Sequence, residues 1–136
     1  MIAIVDDDVF VRRALTALLT AMGFHVDTFS SGGEFVHRLH ETASFNPGCV
    51  ISDVCMPGLN GIDVQKHVAR ARPRVPVILL TGACDRRTLE AARGSGAFAV
   101  LEKPPDTGLL TKTIHAALGT GQPEGPRDNV LRSVGS

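Results

Sequence analysis

The stretch IAIVDDDVF, residues 2–10, sets four apolar residues against three consecutive carboxylates, Asp6, Asp7 and Asp8, before the chain turns apolar again. The apolar run reads as a buried strand. The carboxylates repel one another, and the first basic residue after them is Arg12. A strand that ends in clustered negative charge needs a cation to offset the repulsion, because like charges in one site disfavour ionisation.

Working outward, short β-rich runs alternate with segments of helical period. VFVRRALTALLTAM carries Val11, Leu15, Leu18 and Met22 at helical spacing, and Gly23 is placed to stop the helix. FHVDTF follows as a second strand. In SSGGEFVHRLHETA, Ser31 and Glu34 form a capping-box pattern, with Phe35, Val36 and Leu39 on one face. CVISD is the third strand, VCMPGLNG a turn-rich loop, and IDVQKHVARA a helix ended by Pro73. VPVILLT, DRRTLEAARGSG, FAVLEK and DTGLLTKTIHAALG complete a series of five strands and five helices. That alternation predicts a doubly wound parallel α/β sheet, whose strands are apolar because both faces are covered. Residues 119–136, rich in Gly and Pro without apolar period, read as a flexible tail or the start of a linker, leaving one domain over 1–118.

Composition narrows the function. Of 136 residues, 43% are hydrophobic and 21% charged, which is globular composition. Lys plus Arg and Asp plus Glu number 14 each, so no general electrostatic grip on nucleic acid or anionic lipid is expected. The densest positive run, ARARPRVP with Arg70, Arg72 and Arg74, falls at a helix C-terminus, where basic residues are favoured anyway. Three cysteines, Cys49, Cys55 and Cys84, make no CxxC pair and fit free thiols in a reducing compartment. With no bilayer-length apolar run and no leader before the first strand, a cytoplasmic protein is expected.

Ligands of open α/β sheets bind beyond the carboxyl ends of the strands, where strand order reverses. Asp6, Asp7 and Asp8 end the first strand, Asp53 the third, Thr81 the fourth and Lys103 the fifth. Singly, each has an ordinary explanation: Asp8 as a helix cap, Thr81 as a structural hydroxyl, Lys103–Pro104 as a solvated turn. Jointly they describe a magnesium site, since Mg²⁺ takes oxygen ligands and uses one or two carboxylates directly. Asp53 could then accept a phosphoryl group, with Lys103 neutralising the transferring oxygens and Thr81 donating to the product.

These residues resemble the receiver domain of two-component response regulators, in particular its FixJ-like branch, over residues 1 to about 118. VDDD matches the acidic pair and implies metal ligation by Asp6 and Asp7. ISDVCMPGLNG matches the phosphoacceptor loop and implies that Asp53 is phosphorylated and that the Cys55 carbonyl is a further metal ligand. ILLTG and LEKPP match the switch-hydroxyl strand and the lysine-proline turn and imply those roles for Thr81 and Lys103, with a cis Lys103–Pro104 bond. The resemblance further implies a flavodoxin-like sheet ordered 2-1-3-4-5 and a phosphodonor that is a sensor histidine kinase or a histidine phosphotransfer protein. It also implies a switch surface on the fourth helix, fifth strand and fifth helix, through which such domains commonly pair as homodimers or engage partners. By the same resemblance the domain is expected to be a signalling phosphoacceptor and not an enzyme, assisting its own phosphorylation and slow dephosphorylation.

Val100 departs from the pattern, which has Tyr or Phe three residues before the lysine. Phe98, two residues earlier on the same strand face, is expected to substitute in part, or the surface readout is muted. Phe10 reads either as core or as an exposed contact for the phosphodonor. Cys55 and Cys84 sit on loops near the site, which raises a redox-sensing reading, but it is opposed because Asp53 is expected to raise rather than lower a thiol pKa there. Three competing functions fit less well. A phosphohydrolase of the haloacid dehalogenase type needs an Asp two residues after its nucleophile, where this chain has Cys55. A dinucleotide-binding domain needs a glycine-rich turn where this chain has carboxylates. A degenerate receiver, acting as a phosphorylation-independent interaction module, is opposed by the intact Asp6, Asp7, Asp53, Thr81 and Lys103 set and favoured by Val100.

Overall fold

The computed structural model describes residues 1–119; the expected tail beyond them lies outside the described residues. Up to Pro105 the chain alternates strand and helix: β1 (Ile2–Val5), α1 (Val9–Ala21), β2 (Val26–Phe29), α2 (Gly32–Glu41), β3 (Cys49–Asp53), α3 (Gly61–Ala71), β4 (Val77–Thr81), α4 (Arg86–Arg93) and β5 (Ala99–Glu102). All strand pairings are parallel, and the sheet order is β2-β1-β3-β4-β5, as expected. Sequence order reverses between β1 and β3, so the ends of these two strands flank the crevice in which such sheets bind ligands.

Alternation along the strands decides which side chains meet which helices. Ala3, Val5, Val50, Val77 and Leu79 face one way and pack with Phe29, with Phe35 and Leu39 of α2, Val64 and Val68 of α3, and Ala92 of α4. Phe29, Phe35 and Phe45 meet edge to face, with ring centroids 5.3–5.8 Å apart. β1, β3 and β4 are buried along their whole lengths, as a sheet covered on both faces requires.

Asp8 caps α1, accepting from the Phe10 amide at 2.8 Å, and Gly23 (φ 93) ends the turn after the helix. The buried residues of α1 are Leu15 and Leu19, with Val11, Leu18 and Met22 half-buried beside them. Ser31 caps α2 through the Glu34 amide (3.0 Å), but the expected reciprocal bond is displaced: the Glu34 carboxylate accepts from the Ser30 amide at 2.7 Å instead. The complete capping box is on α3, where Asn60 and Asp63 exchange bonds of 2.9 and 3.0 Å.

That cap matters because α3 starts hard against the end of β3. The Gly61 amide donates to the Val54 carbonyl at 2.9 Å, and a Cβ at Gly61 would collide with the Asp53 carbonyl oxygen and stand 2.9 Å from Val54 Cα. Neither obstacle is a flexible side-chain end. Gly61→Ala is therefore expected to lower stability by about 2 kcal/mol, in the range of overpacking penalties. A urea unfolding curve with an unmoved midpoint would contradict this close fit.

From Asp106 the chain forms a separate unit containing α5 (Thr107–Leu118). Asp106 caps it, accepting from the Leu109 amide at 2.8 Å, and Gly119 (φ 73) ends it in the left-handed region. Among the described residues, no helix is long and apolar enough to cross a membrane.

Candidate functional site

Asp6 lies one residue past β1 and Asp53 is the last residue of β3; these strands are neighbours, so their ends deliver both carboxylates to one place. Ligand oxygens of Asp6, Asp7 and Asp53 all lie within 4.8 Å of one another. Asp6 is 1% exposed and Asp53 5%, whereas Asp7 is open to solvent. Asp8 stands apart as the α1 cap.

Backbone and basic groups hold this cluster. The Asp8 amide donates to Asp6 Oδ1 at 2.9 Å. Arg12, one turn into α1, donates from Nη1 to the Asp6 backbone carbonyl at 2.7 Å. Lys103, just past β5, reaches Asp6 Oδ2 at 3.0 Å and Asp53 Oδ2 at 3.3 Å. The Lys103–Pro104 peptide is cis. The Cys55 amide lies 3.4 Å from Asp53 Oδ1.

Thr81, buried at the end of β4, donates from Oγ1 to the Leu101 carbonyl at 3.4 Å. It therefore lies on the same rim as Asp53, since β3 and β4 are neighbours, but its hydroxyl is turned toward β5.

Electrostatics agree with the geometry. Burial, and next the Asp6 charge, push the Asp53 carboxyl above its ordinary value of 3.8, against the opposing pull of Lys103. For Lys103, burial pulls downward, but the hydrogen bond to Asp6 and the charges of Asp53 and Asp6 outweigh it and leave the ammonium above its ordinary 10.5. Three carboxylates opposed by one ammonium leave the pocket short of positive charge. The donors are hard oxygens from two strand ends with one solvent-open member, which suits a magnesium ion that keeps several waters.

The remaining sequence expectations divide. Phe10 is not core: it is 74% exposed, on the first turn of α1 beside the acidic cluster. Phe98 does not reach the Thr81 end of the sheet. Its amide donates to the Val77 carbonyl, four residues before Thr81, and it lines a depression with Gln65, Ala69 and Val75. Four residues of strand are about 13 Å, so substitution for the missing aromatic is ruled out by register. Val100 packs half-buried against the α2–α4 side of the core. Arg72 does not present a basic surface for nucleic acid; its guanidinium donates to the Phe45, Leu39, Thr42 and Ala43 carbonyls. Sequence reading missed this internal role, and also that of Arg12, whose signal was its place one turn after the carboxylates. It also missed a groove lined by Asp8, Val11, Ala14, Leu15, Gly82, Lys103, Pro104 and Pro105, which adjoins the acidic cluster on the α1 side. The Cys55 and Cys84 thiols, expected only to be near the site, touch, with sulfurs 2.6 Å apart. That hydrogen bond, then burial and the neighbouring charges of Cys84, Asp53 and Asp85, push the Cys55 thiol up to about 11.

Comparison with known proteins places this arrangement. A family model of the response regulator receiver domain matches residues 2–115, and the chain belongs to that family. Within it, the chain is a FixJ-like receiver domain, 33% identical over 133 residues to the transcriptional regulatory protein FixJ of Bradyrhizobium diazoefficiens. That alignment takes in 98% of this chain and 63% of the relative, so the chain spans less than two thirds of that protein's length. Among solved structures, a response regulator receiver protein from Burkholderia phymatum is 45% identical with a TM-score of 0.76, covering 87% of this chain and 94% of that one. A receiver domain protein from Clostridium thermocellum is 31% identical with a TM-score of 0.79, covering 87% of this chain and 93% of that one.

Proposed function

We propose that this receiver takes a phosphoryl group onto Asp53 from a sensor histidine kinase or a histidine phosphotransfer protein. Asp6, Asp7 and Asp53 side chains and the Cys55 carbonyl would hold Mg²⁺. The observation that carries this reading is the convergence of Asp6 and Asp53, both buried and from different strand ends, on the single ammonium of Lys103. An Asp53 carboxylate oxygen attacks phosphorus as the phosphorus–nitrogen bond of the donor's phosphohistidine breaks, the electron pair returning to the imidazole. Lys103 moves from a carboxylate-only role to neutralising a phosphoryl oxygen, and the Thr81 hydroxyl leaves the Leu101 carbonyl to donate to a second phosphoryl oxygen. When bound, magnesium supplies further positive charge to the same oxygens. Water later cleaves the acyl phosphate slowly and resets the switch.

Because Thr81 pairs with Glu102 across β4–β5, its movement reaches β5 and the adjacent α4 directly. The switch surface is accordingly proposed on α4 and β5; its extension to α5, and pairing of two copies through it, rest on the resemblance alone. A cytoplasmic setting and an absence of direct nucleic-acid binding belong to the same proposal. Incubation with acetyl phosphate should add the mass of one phosphoryl group with magnesium and none after chelation. Unmodified protein under both conditions would remove the proposal.

Phe10, exposed beside the site, gives the donor protein an apolar anchor. Phe10→Ala is expected to slow phosphotransfer from the kinase roughly tenfold, the loss of about 1.4 kcal/mol of docking energy, and to leave transfer from acetyl phosphate unchanged. Equal slowing of both reactions would reject the docking role.

One observation favours a second reading. Val100 is small and packed, and Phe98 is at the far end of the sheet, so no aromatic side chain follows Thr81 inward. An interaction module whose surface ignores phosphorylation fits that detail. It predicts unchanged α4 and β5 amide shifts with and without a phosphoryl mimic.

A further inference from the structure

Cys55 and Cys84 come from the two loops that frame the acidic cluster, Cys55 between β3 and α3 and Cys84 between β4 and α4. Their sulfurs stand 2.6 Å apart, about 0.5 Å beyond the ~2.05 Å of a disulfide bond. Neither residue belongs to a helix or strand, so each loop can close that gap without breaking a backbone ladder. Cys55 is exposed and open to reagents, whereas Cys84 is half-buried and held by its amide bond to the Gly82 carbonyl at 2.8 Å. The third thiol, Cys49, is buried within β3, so the contact singles out one pair.

We propose that Cys55 and Cys84 are a reversible disulfide site that accepts oxidising equivalents from small disulfides and pins the two loops together across the mouth of the pocket. With its thiol pushed up to about 11, Cys55 reacts through a small thiolate fraction, its proton passing to solvent. That thiolate attacks one sulfur of a disulfide RSSR; the Cys55–SR bond forms, the S–S bond of the reagent breaks, and RS⁻ leaves. Cys84, likewise deprotonated, attacks the Cys55 sulfur and expels the second RS⁻. The two protons return to the departing thiolates, so two cysteine thiols are oxidised and one RSSR is reduced to two RSH. In a reducing compartment such a bond is transient, which suits sensing rather than stapling. Its consequence rests on the phosphoacceptor reading. The Cys55 backbone neighbours Asp53, at 3.4 Å from Oδ1, and Cys84 lies three residues after Thr81. A covalent tie would hinder the loop motions that phosphorylation requires.

The uncharged hydroxyethyl disulfide is the appropriate probe, since Asp53 would repel an anionic one. After treatment of the full chain and blocking of remaining thiols with maleimide, peptide mapping should show Cys55 joined to Cys84, with Cys49 unlinked. Dithiothreitol should reverse the link, and Cys84→Ser should instead carry a hydroxyethylthio adduct on Cys55. Wild-type protein with both thiols blocked or separately adducted, and no cross-link, overturns the proposal. In a second arm, linked protein should accept phosphate from acetyl phosphate on the order of tenfold more slowly than reduced protein, as displaced reacting groups do. Untreated Cys84→Ser should accept phosphate at the rate of reduced wild-type protein, and dithiothreitol should restore that rate to linked protein. Equal rates for linked and reduced protein overturn the control of phosphorylation. Failure of the reduced protein to accept any phosphate removes the phosphoacceptor reading, while the mapped cross-link stands on its own evidence.

Discussion

Asp53→Asn is expected to abolish phosphate incorporation from any donor and, in metal-free buffer at neutral pH, to make the folded protein more stable by about 1 kcal/mol, the size of an ordinary single-site effect. The two halves have one cause. A group placed to be a nucleophile must be ionised, yet burial and the Asp6 charge disfavour its ionised form more than Lys103 favours it. Since its folded pKa is raised, the folded state binds a proton at Asp53 more tightly than the unfolded chain does. The resulting penalty is present above the folded pKa and relieved as pH falls through it toward the ordinary 3.8. Asparagine removes the penalty at neutral pH, and its advantage should therefore shrink on acidification. Urea unfolding of both proteins at pH 7 and near pH 4 checks the sign. An advantage that grows toward acid would show that Lys103, not burial, dominates at Asp53. Retained phosphate in the variant would show that another residue is the acceptor.

Much of this was legible in the sequence because its grammar is local. Period and punctuation located every strand and helix, and a carboxylate or hydroxyl at a strand end is placed on the rim once the sheet is parallel. Asp6, Asp53, Thr81 and Lys103 needed no knowledge of packing to be set together. What the sequence concealed depends on three-dimensional distance or on register. Helical spacing pointed to Leu18 on α1, but the buried neighbour of Leu15 is Leu19, a choice between adjacent apolar positions that spacing alone does not make. Phe98 shares a strand face with Val100, yet the β4–β5 register sets it beside Val77 rather than Thr81. Arg72 belongs to a run that looks like a basic patch and is spent on backbone carbonyls of the α2–β3 loop and its flanks. The Cys55–Cys84 contact joins residues 29 positions apart, and no spacing rule predicts it.

Lys103→Met should have the other large effect, because it removes the group that makes two buried carboxylates tolerable. The ammonium stands 3.0 Å from Asp6 and 3.3 Å from Asp53; its side chain is 19% exposed, theirs 1% and 7%. Removing one partner of a fully buried pair costs about 3–5 kcal/mol; with Lys103 partly open to water, a loss of roughly 2 kcal/mol is expected in chelated buffer. The pH dependence separates lost charge from lost packing. The folded pKa of Lys103 is raised, so its contribution is complete below the ordinary lysine value of 10.5 and disappears as pH rises through the folded value. Wild-type and variant curves should consequently run apart at neutral pH and converge in strong alkali. Parallel curves would mean that methionine merely packs badly. Magnesium should narrow the neutral-pH gap, since the carboxylates that lose Lys103 are those proposed to hold the ion. Phosphorylation by acetyl phosphate should nevertheless remain slowed by roughly 10²-fold, because one donor to the transferring oxygens is gone whatever the stability. A variant that is destabilised but phosphorylated at the wild-type rate would confine Lys103 to holding Asp6 and Asp53 in place.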